Sequence, residues 1–281
     1  MSYQERTVTM KLKHRQSLAL LALPLAAALC AASAYAQTPK TAETTKTTAA
    51  ASTAATKAAP ATAATTATGP VITATTSPID LARAALAAQG GEKYRNVKSI
   101  VLIGTVDLYA PNSAQSVSGN FAMVMASGDR YRVDVVSPVV KFQQIFNGQQ
   151  SYSSIPTIQT PNPSKFGLGM LTKLDQPGYV VSALPDKKKQ RAFRITDPEG
   201  NNTDFFVDQQ TARVMVYTMP VNGNTFAMEI KNVKEVDGVL VPVNFTQRFE
   251  TPQGAYFAEY KVKTPKVNEA LGDDVFAIPT Q

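Results

Sequence analysis

Tryptophan is absent from this sequence, and histidine and cysteine occur once each, as His14 and Cys30. Both stand in an N-terminal segment built like a cleavable export signal. Without that segment the mature protein has no imidazole and no thiol. Ser/His/Asp and Cys/His nucleophilic machinery, Cys/His zinc sites and disulfides each need one of those side chains, so all are excluded. The reading is a binding protein, not an enzyme, with no catalytic residues, cofactor or metal.

The signal shows three features in order: the basic patch Lys11, Lys13, His14 and Arg15, the apolar run from Ser17 to Ala32, and the small-residue ending Ala34-Tyr35-Ala36. Met10 precedes the patch and would give a signal of more usual length. Residues 1–36 are therefore expected to direct export to the periplasm. Lipidation at Cys30 is disfavoured, because Leu29 is not the small residue such a site needs. The alternative is an uncleaved inner-membrane anchor, since Leu18 to Ala36 is about long enough to span a bilayer.

Broad positive charge is also missing. The formal charge is +7, but from Pro78 onward 21 basic residues face 19 acidic ones. That balance gives no electrostatic footprint for nucleic acid. The one basic cluster, Lys187-Lys188-Lys189 with Arg191 and Arg194, reads as a solvated loop and strand start. Residues 37–77 lack aromatics altogether, and alanine and threonine fill 28 of the 41 positions. Such a stretch cannot bury enough apolar surface to offset its ordering entropy, so a disordered linker is expected there.

What is present is a domain over 78–281. It opens with Ser77 as N-cap, Pro78 at the first helical position, apolar residues at helical spacing (Ile79, Leu81, Ala82, Ala85, Leu86) and a Gly90-Gly91 stop. The period then changes to two. Strands are expected over 98–109, 117–125, 130–136, 142–146, 150–155, 192–197, 203–208, 213–219, 225–235, 239–250 and 255–263. Turn sequences such as Asn147-Gly148 and Asp237-Gly238 separate them and suit hairpins. Between Pro161 and Pro185, Phe166, Leu168, Met170, Leu171 and Leu174 recur without alternation, which predicts one or two short helices. The fold class is α+β, with helices covering one face of a curved antiparallel sheet of about eleven strands.

The strand faces carry a flexible apolar set. Alternation places Phe121, Met123 and Met125 on one face, and likewise Met215, Tyr217 and Met219, then Phe226, Met228 and Ile230, then Tyr256 and Tyr260. Methionine suits a surface that adapts to varied apolar partners. An ordinary packed core is the competing reading, but one helix and a short insert are modest cover for so broad a sheet, which leaves room for a lined pocket. Chemistry-bearing clusters are weaker. Asp197, Glu199, Asp204 and Asp208 lie around turn residues, Asp273-Asp274 lacks further spaced oxygen ligands, and Gly167-Leu168-Gly169 lacks the lysine of a phosphate loop.

Four pieces in order carry a resemblance: Leu86 to Ile100 followed by Gly104-Thr105-Val106, Phe206-Val207-Asp208 with Thr211, Glu235 to Pro242, and Asn268 to Pro279 containing Asp273-Asp274-Val275-Phe276. The domain resembles the LolA-like outer-membrane lipoprotein-sorting family. The resemblance implies an incomplete β-barrel with a helical lid on its concave face and an apolar cavity for acyl chains. Its wall would draw on Phe121, Met123, Met125, Met215, Tyr217, Met219, Phe226, Met228, Ile230, Tyr256 and Tyr260, with Phe166, Met170 and Leu171 on the lid. It also implies an arginine that latches the lid. Arg83 and Arg95 stand near the right end of the chain, and no motif selects either. The expected function is a monomeric periplasmic carrier of lipoprotein or phospholipid acyl chains, served by a membrane-bound donor or acceptor protein. The alternative on the same fold is a regulatory module for envelope stress or envelope assembly.

Overall fold

The computed structural model describes residues 72–155, 162–221, 223–252 and 254–279. The expected signal, and the expected linker up to residue 71, lie outside the described residues. Residues 72–77 dock on the domain: Thr76 N–H bonds the Thr73 carbonyl at 3.2 Å, and Arg191 donates to the carbonyls of Thr73 and Thr76.

Helix α1 spans Pro78–Gln89 and has the ends its sequence predicts. Ser77 Oγ accepts from the Asp80 N–H at 3.3 Å, and the Gly90 and Gly91 N–H groups close on the Ala87 and Leu86 carbonyls. Gly90 is required twice over. Its φ is +125°, and a Cβ there would stand 2.6 Å from the Gly238 carbonyl oxygen. One turn, α2 (Glu92–Arg95), follows.

The sheet consists of β1 (Ser99–Tyr109), β2 (Ser116–Ala126), β3 (Arg130–Val136), β4 (Lys141–Phe146), β5 (Ser151–Ser153), β6 (Val180–Ala183), β7 (Gln190–Thr196), β8 (Asn202–Asp208), β9 (Val214–Val221), β10 (Asn224–Val236), β11 (Val239–Thr251) and β12 (Gly254–Val267). All twelve join one antiparallel sheet in the order β5-β4-β3-β2-β1-β12-β11-β10-β9-β8-β7-β6. It is two meanders joined where the first strand pairs with the last. The sheet does not close, since β5 and β6 are its free edges. The segment between them must travel from one edge to the other. That segment is the insert, holding a 3₁₀ turn at Pro163–Lys165 and the short helix α3 (Leu168–Leu171).

The sheet has the expected form, with β6 as one strand more than the eleven read from the sequence. β6 falls inside the stretch read as purely helical, and it is legible only through its pairing with β7. Four residues on a sheet edge need no alternating pattern, because their backbone bonds hold them and little of their surface is buried.

The concave face carries the main core, in which Leu81, Ala85 and Leu86 of α1 meet Val106, Phe193, Phe205, Val207, Phe245 and Tyr260 of the sheet, all under 7% exposed. Phe245 and Tyr260 stack at 4.7 Å between centroids, and Phe121 meets Tyr260 edge-on at 4.9 Å. A second cluster covers part of the other face. There the C-terminal segment brings Phe276, with Leu271, Val275 and Ile278, over Val101, Val124 and Ile145.

Candidate functional site

The aromatic core of β11 and β12 does not fill the whole concave face. Between the sheet, α2 and the insert lies a cavity of about 380 Å³. This is within the range of roughly 300 to 1,000 Å³ typical of small-molecule sites. Its inner wall is apolar: Leu102 from β1, Met123 and Met125 from β2, Tyr217 from β9, Met228 from β10, Phe245 from β11, and Phe166 and Leu168 from the insert. Methionines at three of these positions let the wall repack around occupants of different shape.

The buried phenols of the wall and of the core behind it stay neutral. Burial pushes the Tyr217, Tyr94 and Tyr260 hydroxyls above the ordinary tyrosine range, so none ionises near neutral pH. The Tyr217 hydroxyl donates to Met228 Sδ at 2.8 Å. A thioether is a weak acceptor, so this bond is easily exchanged for one to an oxygen.

The insert rests on the wall at Gly167. The φ there is +54°, and a Cβ would fall 2.5 Å from Tyr217 Cζ. Glycine is the residue that lets the backbone lie on the ring. Ion pairs tether the insert on three sides. Lys165 reaches Glu199 of the β7–β8 turn at 3.0 Å, Lys173 reaches Asp129 of the β2–β3 turn at 3.6 Å, and Asp175 is held by Arg83 of α1 at 3.0 Å and by Arg95 of α2. Arg95 first, then burial against it and Arg83 with it, set the Asp175 carboxyl below its ordinary value. Both arginines near the expected latch position thus bind one carboxylate of the insert.

Of the residues read from the sequence, Met123, Met125, Tyr217, Met228 and Phe166 line the cavity. Phe121, Ile230, Tyr260, Met170 and Leu171 lie in the packed core around it, with Met219 and Phe226 half-buried against that core. Met215 is displaced from the expected face. The pairing of β8 with β9 slips between Phe206↔Val216 and Val207↔Val214, so Met215 is a bulge residue without a cross-strand partner. Val214 and Tyr217 both face the core as a result. Strict alternation through a bulge puts every residue on its far side on the wrong face. Tyr256 pairs with Phe249 at the far end of β12 and belongs neither to the cavity wall nor to the core cluster.

The polar rim was not foreseen. Arg95, Lys98, Ser127, Gly128, Asp129, Arg130 and Lys173 line the cavity at the end of the sheet where β1 and β3 start. The basic spacing there is spread over α2, the start of β1, a hairpin and the insert, so only folding brings it together. Asn162, Thr172, Leu240, Pro242 and Gln247 are among the further lining residues, and none of them was expected in the cavity wall.

The carboxylates considered for acid/base work are committed elsewhere. Asp197 accepts from the Glu199 and Asn201 N–H groups at 2.9 and 2.8 Å, Asp204 pairs with Arg194 at 2.6 Å, and Asp208 caps the turn at Thr211. Asp273 lies 3.6 Å from Arg130. In the basic cluster, Lys187 sits over the Phe206 ring at 4.2 Å and Arg191 pairs with Asp186 at 2.9 Å.

No family model matches the sequence, and no curated protein does. Solved structures similar to the chain include a LolA superfamily protein from Nitrosomonas europaea (14% identity, 69% of this chain and 97% of that one, TM-score 0.46). A DUF1329 family protein from Desulfovibrio piger aligns at 11% identity over 72% of this chain and 98% of its own, TM-score 0.46. A domain named for outer-membrane lipoprotein sorting, from Vibrio parahaemolyticus, aligns at 10% identity over 71% of this chain and 95% of its own, TM-score 0.45.

Proposed function

We propose that this protein is a monomeric periplasmic carrier that holds an acyl chain of a lipoprotein or lipid in the cavity beneath its insert. The observation that carries this reading is the cavity itself: about 380 Å³, walled by Met123, Met125, Tyr217, Met228 and Phe245, under a cover held by ion pairs. An acyl chain needs apolar walls and no cofactor. Exchange between membranes needs a cover whose opening costs little, and half-exposed ion pairs worth about 1 kcal/mol or less each meet that condition. A membrane-bound protein would deliver or receive the chain.

Native mass spectrometry of the exported protein, purified without detergent, tests the reading. The expected result is an adduct of lipid mass, or uptake of added lysophospholipid, that Met123→Lys abolishes while the circular dichroism spectrum stays unchanged. A clean mass with no uptake would end it, and loss of fold in Met123→Lys would make that residue part of a solid core.

The free edge strand β6, where Val180 is 58% exposed, favours a second reading as a regulatory module that adds a partner's strand to the sheet. A stoichiometric protein retained through purification and lost on Val181→Pro would support it over the carrier.

A further inference from the structure

The cavity is chemically asymmetric. Its inner wall is methionine and aromatic, while the end formed by the start of β1, the β2–β3 hairpin, α2 and the insert carries four cationic side chains, Arg95, Lys98, Arg130 and Lys173, against one anionic one, Asp129. These groups are neighbours. The Ser127 N–H bonds the Lys98 carbonyl at 2.9 Å, and Lys173 bridges to Asp129 at 3.6 Å. Arg95 is partly neutralised by Asp175 and Glu92, and Arg130 by Asp273. Lys98, which is exposed, has no carboxylate within ion-pair distance among the described residues.

We propose that the occupant is a single-chain anionic amphiphile, its alkyl tail between Met123, Met125 and Met228 and its phosphate or carboxylate head group at the mouth beside Lys98 and Arg130. The inference rests on the cavity reading above and adds the head group to it. An anionic oxygen at the mouth takes charge-assisted bonds from Lys98 and from the Arg130 fork, which a neutral ester or alcohol makes only as weaker ones. The volume admits one chain more readily than several.

The test is calorimetric titration of the full chain with three amphiphiles of one tail length, dodecyl phosphate, dodecanoate and dodecanol, the anions below their micelle thresholds and the alcohol below its solubility limit, at low and moderate salt. Either anion, or both, should bind about tenfold tighter than dodecanol, with the gap narrowing as salt rises. The comparison of phosphate with carboxylate tells which head group the mouth prefers. Lys98→Gln combined with Arg130→Gln should bring the anion affinities close to that of dodecanol. Equal binding of all three, or a gap untouched by the double substitution, overturns the head-group inference and leaves the cavity reading standing. If none of the three binds to a protein with a native circular dichroism spectrum, the cavity reading falls and takes this inference with it.

Discussion

Gln89, in the last turn of α1, is 1% exposed, and neither its Oε1 nor its Nε2 has a hydrogen-bond partner among the described residues. A buried amide without partners forfeits its hydration on folding, at about 1 to 3 kcal/mol. Gln89→Met keeps the length and shape of the side chain and removes that cost. The expected outcome is a gain of about 1 to 2 kcal/mol in urea unfolding at unchanged m-value. A loss of similar size would mean that the amide is satisfied by a group such as an ordered water. The position shows how far side-chain type alone can be read. A glutamine at the end of an amphipathic helix reads as solvent-facing, but in the fold this end of the helix is buried, with Gly90 next to it packed on the β10–β11 turn.

At the scale of elements, one of the contacts between the insert and the wall can be broken by a single methyl group. Gly167→Ala combines a left-handed φ with a Cβ at 2.5 Å from the Tyr217 ring, so the insert must lift or the ring must turn. The expected cost is about 1 to 3 kcal/mol, read as a fall in Tm of several degrees. Adding Tyr217→Leu should return part of that loss, because the smaller side chain removes the collision and leaves only the backbone strain. Strictly additive losses in the double variant would show that the two residues do not meet. Most of the elements on either side of this contact were legible. Alternation and hairpin turns locate eleven strands, and the caps of α1 mark both its ends. The departures occur where pattern loses its physical basis. β6 is short and at an edge, so it buries little. The bulge at Met215 breaks the two-residue period, and nothing in Val214-Met215-Val216 announces it. The cationic rim comes from separate segments and has no linear signature.

For the whole molecule, the open sheet is spanned by an insert whose ion pairs to α1 and α2 all run through a single carboxylate, Asp175. Its side chain is 37% exposed, so the Coulomb gain from Arg83 and Arg95 is discounted for solvent and the two pairs together are worth about 1 kcal/mol, roughly a fivefold shift in a closed-to-open ratio. The direction with pH follows from the lowered carboxyl. A depressed Asp contributes its full stabilisation above the ordinary value near 3.9 and loses it as pH falls through the lower value of the folded state. Release of bound dodecanol, whose head group does not titrate, followed by stopped flow, should therefore run at one rate between pH 7 and pH 5 and quicken only below about pH 4. Asp175→Asn should release the probe about fivefold faster already at pH 7 and lose most of the acid acceleration. Arg83→Gln leaves Arg95 in place and should fall between the two. If Asp175→Asn instead releases the probe at the parent rate, the insert is held by Lys165, Lys173 and the Gly167 contact, and Asp175 is a surface ion pair without a part in opening.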